Sequence, residues 1–167
     1  MLTALLVLSG AIAAGGQTNL VSTNAGSTVN ASLIPFGWLD KAKGYEQALA
    51  LQRQSGADIF IYFSSQKDDE RGLCAWFESK GLENNQVKKY LKNYIRVKVP
   101  LPSNPDCQKL AEQFEVRRCP AIFIVQPGGL RQFCKVFTWE NNRPKLNEPD
   151  ALIETFRVRS GEWYLDK

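Results

Sequence analysis

A chain of 167 residues with 44% hydrophobic and 23% charged residues is long enough for one domain with its own core and too short for two. Its formal net charge of +4 arises from 21 Lys and Arg against 17 Asp and Glu, interleaved as in Lys67-Asp68-Asp69-Glu70-Arg71. No basic stripe of the kind that tracks a phosphate backbone results, so nucleic-acid binding is not expected.

The first fourteen residues, 1–14, are almost wholly apolar, and Ala11-Ile12-Ala13 has the small-x-small pattern read by signal peptidase. An export signal is the expectation, and a buried N-terminal strand or helix is the alternative. No Lys or Arg precedes Lys41, so only the α-amino group supplies the charge usual at the front of such a signal. The apolar run falls short of the about 20 residues a bilayer span needs, so no stable membrane anchor is expected. Export makes the location extracytoplasmic, periplasmic or secreted, where disulfides persist. Residues 15–35 are dominated by Gly, Ser, Thr, Asn and Ala and read as a flexible linker, leaving 36–167 as the folded domain.

Trp38-Leu39-Asp40 opens a helical pattern carrying Tyr45, Ala48, Leu49 and Leu51, with Gly56 placed as its C-terminal cap. Ile59-Phe60-Ile61-Tyr62-Phe63 is short, continuous and β-prone, the profile of a strand buried on both faces. A polar loop, Ser64 to Glu70, leads to a helix containing Cys74, Trp76 and Phe77, and then to a second helical piece with Val87, Tyr90 and Leu91. Trp76 and Phe77 are expected in the core. Tyr94 to Val99 reads as the next strand, ended by Pro100, Pro102 and Pro105. A helix over Asp106 to Phe114 follows, then a hairpin of Ala121–Val125 and Arg131–Thr138 around Pro127-Gly128-Gly129, and a last helix from Pro149 to Val158. Helices alternating with strands and closing in a hairpin predict a three-layer α/β domain.

The four cysteines, Cys74, Cys107, Cys119 and Cys134, include no Cys-x-x-Cys pair, and the chain has no His. Without closely spaced ligands no metal site is expected, and no residue pattern calls for a cofactor. Cys107 and Cys134 are given structural roles, with a disulfide between them left open. Four cysteines allow three connectivities, and spacing alone does not choose among them.

The element order, the spacing from Cys74 through Val87 and Leu91 to Ile95, and Val116 to Pro120 followed by a strand and Pro-Gly-Gly resemble the thioredoxin-like superfamily, more narrowly its exported members. The resemblance covers roughly Phe36 to Phe156 and implies a three-layer sandwich whose central mixed sheet is flanked by helices. It also implies that Pro120 is the cis-proline before the penultimate strand, exposing the backbone of Cys119 towards the motif and a substrate segment. Cys74 takes the position of the second, more buried motif cysteine, and Arg71 stands where the first, nucleophilic one would be. The other register makes Cys74 the nucleophile with Phe77 in the resolving position.

Three functions remain open at this point. Cys74 and Cys119 carry out thiol-disulfide exchange with protein or peptide thiols and disulfides, with Pro120 and Arg71 contacting substrate. Alternatively, the cis-proline groove binds peptides without turnover, or the cysteines are inert core residues. The oligomeric state is not set by any of these features.

Overall fold

The computed structural model describes residues 29–65 and 72–161. The proposed signal at 1–14, most of the linker and Arg71 lie outside the described residues. In chain order the elements are β1 (Leu39–Asp40), α1 (Lys41–Ser55), β2 (Ile59–Ser65), α2 (Leu73–Trp76) running on as a π-helical segment (Phe77–Leu82), and α3 (Asn85–Leu91). After these come β3 (Ile95–Leu101), α4 (Pro105–Gln113), β4 (Ala121–Val125), β5 (Arg131–Cys134), β6 (Phe137–Glu140), β7 (Arg143–Leu146) and α5 (Pro149–Arg157).

Five strands form one mixed sheet in the order β1-β3-β2-β4-β5. Strands β1 and β2 run parallel to β3, whereas β4 is antiparallel to both β2 and β5. The all-buried profile of β2 follows from its central place between β3 and β4. Because side chains alternate across a strand, Ile59, Ile61 and Phe63 enter one core with Tyr45, Leu110 and Phe114, while Phe60 and Tyr62 enter another with Phe77, Leu91 and Phe156. Helices α1 and α4 cover the first face, and α3 and α5 the second. The chain thus has the three-layer α/β architecture expected of it.

Local chemistry explains the helix boundaries. The Oδ1 of Asn84 accepts from the backbone N–H groups of Gln86 and Val87, and that of Asn104 accepts from Cys107, with Pro105 at the first turn of α4. Gly56 ends α1 in the left-handed region, with φ of 71°, and its N–H returns to the Gln52 carbonyl. At the N-terminal edge of the described region Val29 packs against the first core, and the N–H of Asn30 bonds the Ser55 carbonyl at 2.9 Å. The buried Arg96 guanidinium holds the carbonyls of Pro35 and Phe36.

Three of the differences from the sequence reading reshape the sheets. Leu39 and Asp40 pair with Val97 and Lys98 of β3 instead of opening the helix. Pro100 lies inside β3, opposite Ser64 of β2. Strand β1 pairs β3 only at Val97 and Lys98, so β3 is an edge by position 100, where a missing N–H donor costs no ladder bond on the open side. The strand expected over Arg131–Thr138 breaks after Cys134, and its second half pairs with β7 as a separate hairpin. Asn141 and Asn142 make that turn with φ of 51° and 61°, the left-handed pair that a two-residue hairpin needs.

Candidate functional site

The end of β2, the start of α2 and the segment before β4 converge at one end of the sheet. Gly72, with φ of 63°, precedes α2, and Cys74 is the second residue of that helix. The Cys74 side chain is only 3% exposed, and its Sγ accepts from the Ser65 N–H at 3.4 Å. It also lies beside the phenol of Tyr62. Burial first, and then the nearby Cys74 and Glu78, hold that phenol far above the usual tyrosine range, so it is a neutral donor. Tyr62 donates to Glu78 Oε1 at 2.9 Å, and Lys98 Nζ reaches the same oxygen at 3.0 Å. A proton-bearing chain of groups therefore runs from beside Cys74 to the half-exposed Glu78.

Cys119 is set differently. The Cys119-Pro120 peptide bond is cis, as the resemblance implied, and so is Leu101-Pro102, which nothing in the sequence singled out. Cys119 is half-buried, and it lines an open groove of about 810 Å³ together with Ser65, Leu73, Leu101 and Pro120. Phe133, Cys134, Lys135, Phe137 and Trp139 line it as well. Leu73 borders this groove, whereas its neighbour Cys74 is packed inward against Ser65 and Tyr62.

All four cysteines are thiols in this structure. Cys107 sits in the core under α1 and α4, and Cys134 in the core on the other face, so the sheet separates them and their pairing is excluded. Phe77 is fully buried as expected, but Trp76 is 37% exposed, with its ring 5.6 Å from that of Phe137 in the hairpin. The hairpin thereby joins the site, a contribution the sequence reading missed although Asn141-Asn142 was its available signal. Among the described residues there is no cluster of three or more His, Cys, Asp or Glu able to hold a metal ion. Nor is any described helix long and apolar enough to cross a membrane.

Burial pushes the Cys134 thiol up to about 12 from 9.0, against the opposing pull of Arg159 and a hydrogen bond from the Ile124 backbone. The folded state therefore keeps a proton that the unfolded state releases first. Stability from this group is complete below about pH 9 and declines as pH rises towards 12, by about 1.4 kcal/mol per pH unit. Urea midpoints taken at about pH 8 and pH 10 should fall accordingly, and Cys134→Ala should flatten the fall. An equal slope in that variant would show that other groups cause it.

A parallel-then-antiparallel sheet, a cysteine-bearing helix after β2 and a cis-proline leading into β4 are the features of a thioredoxin-like fold. Solved structures share this fold. The C-terminal domain of DsbD from Neisseria meningitidis in its oxidised form superposes with a TM-score of 0.55 at 14% identity, covering 74% of this chain and 99% of that one. Its reduced form gives 0.51 at 15% identity over 75% and 96% of the two chains. A DsbH oxidoreductase gives 0.51 at 16% identity over 87% and 94%. No protein-family model and no curated protein matches the chain.

Proposed function

We propose that this is an exported thiol-disulfide exchange domain with a degenerate motif, which binds extended protein segments beside Pro120 and reacts with their cysteines through Cys119. One observation carries the reading: Cys119 is the single cysteine of the four that is not buried, and it lines the groove immediately before the cis-proline. The apolar residues 1–14 support export, and Arg71 stands three residues before Cys74.

In this scheme the Cys119 thiolate attacks one sulfur of a partner disulfide. That S–S bond breaks, a mixed disulfide forms, and the departing partner thiolate takes up a proton. Cys74, after losing its proton towards Tyr62 and Glu78, then attacks Cys119 Sγ. The partner leaves with its second thiol, and a Cys74–Cys119 disulfide remains, so two electrons have passed to the partner. This last step requires the two Cα atoms to come within roughly 4.4–6.8 Å. The deep burial of Cys74 favours a second reading, in which the groove binds partners without exchange.

Oxidised glutathione supplies the test, followed by peptide mapping under non-reducing conditions. The adduct is expected on Cys119 and absent from Cys107 and Cys134. It should disappear in Cys119→Ser and persist longer in Cys74→Ser, where no resolving thiol remains. A folded protein whose Cys119 stays unmodified would leave only the binding reading.

A further inference from the structure

We infer that the groove beside Pro120 selects extended protein segments with acidic side chains close to their cysteine, and that Arg117, Arg118 and Lys135 set this preference. The inference rests on the groove being the binding site proposed above, and it adds the class of partner. These three residues are exposed cations in the groove wall, and no carboxylate lines the groove among the described residues.

Other cations of β5 and of the C-terminal end of α5 are already engaged within the protein. Arg131 stacks on the Phe114 ring at 4.3 Å and donates to the Gln113 carbonyl, Arg159 donates to Gln132 Oε1, and Arg157 pairs with Glu154. The ion pairs among the described residues involve Lys41, Lys88, Lys98, Lys145 and Arg157, and none involves the three groove cations. A groove whose walls carry one sign of charge concentrates ligands of the other sign. Phe133 and Trp139, each about half exposed, add aromatic surface for the apolar stems of a bound chain. An extended polypeptide fits this arrangement better than a nucleic acid, because the half-buried Cys119 thiol that lines the groove has a reaction partner only in a cysteine-bearing chain.

Fluorescence anisotropy with labelled peptides in which the cysteine is replaced by serine reads binding without exchange. A peptide flanked by Asp and Glu should bind about tenfold more tightly than its Asn and Gln counterpart, and a Lys version should bind more weakly still. Salt at about 1 M, where the screening length is about 3 Å, should remove the preference. Arg117→Ser, Arg118→Ser and Lys135→Ser together should also remove it, whereas Arg117→Lys should retain it. All these sites are exposed, and circular dichroism checks that the fold is kept.

Equal affinity for the acidic and amide peptides, or a preference that survives in the triple variant, would overturn the inference. So would tighter binding of a single-stranded oligonucleotide of equal charge. The cysteine-containing acidic peptide separates the two proposals: selective binding without an adduct on Cys119 removes exchange but keeps the selectivity, and an adduct without selectivity does the reverse.

Discussion

Replacing Arg71 by cysteine is expected to raise turnover of a standard protein disulfide by at least about tenfold over the unaltered chain, whose own dithiol activity should be weak. The new thiol would stand three residues before Cys74 and just ahead of Gly72 and the helical run beginning at Leu73. A dithiol oxidoreductase needs one accessible thiolate to attack and a second thiol to resolve the mixed disulfide, and the unaltered chain has a guanidinium at the first position. The buried Cys74, with Tyr62 and Glu78 beside it, already suits the second. Insulin reduction monitored by turbidity, with Arg71→Cys and the double variant Arg71→Cys with Cys74→Ser, checks this. Unchanged turnover in Arg71→Cys, or an unaltered protein as fast as a Cys-x-x-Cys thioredoxin, would show that the register of the motif is misplaced.

The largest loss of stability is expected from Phe60→Ala. Phe60 is fully buried in β2, paired with Arg96 of β3 and Ile124 of β4. Its ring meets Phe156 of α5 at 5.1 Å, Trp38 at 5.9 Å and Tyr94 at 6.3 Å, each edge to face. Truncation removes the transfer free energy of the ring and opens a cavity where three distant segments meet. The expected cost is about 3–5 kcal/mol, a large share of the ~5–15 kcal/mol that holds a domain folded. Urea unfolding should show a lower midpoint at unchanged slope. Leu130→Ala, at a side chain 54% exposed, should stay within about 0.5 kcal/mol of the parent. A loss below about 1.5 kcal/mol at Phe60 would mean that the surrounding rings close the cavity.

Much of this architecture is written in local pattern. Ile59 to Phe63 and Ala121 to Val125 are continuous apolar runs because each lies inside the sheet with helices over both faces, so their burial needed no knowledge of their neighbours. Gly56 and Pro105 mark helix ends through backbone geometry, which is a property of the residue itself. The Asn141-Asn142 turn was equally local, but the run from Arg131 to Thr138 is uninterrupted in composition. Its break after Cys134 comes from which strand each half pairs with.

The candidate site was legible only where the resemblance reached it, at Cys74, Cys119 and Pro120. Its polar surroundings were not. Tyr62 and Lys98 are ordinary members of two neighbouring strands, and they meet Glu78 because β2, β3 and the helical run after Cys74 share one face. The adjacent Arg117 and Arg118 likewise join the distant Lys135 only in space, at the groove.

By itself, then, the amino-acid sequence determined the central strands, the main helices, and that no Cys-x-x-Cys pair exists, because propensity, periodicity and spacing act over a few residues. Only the tertiary structure decided which thiol meets solvent. Cys74, Cys107 and Cys134 are covered by elements far away in the chain, while the turn into β4 leaves Cys119 at the groove. Burial of a side chain is the sum of contacts from non-neighbouring segments, and no short stretch of sequence contains that sum.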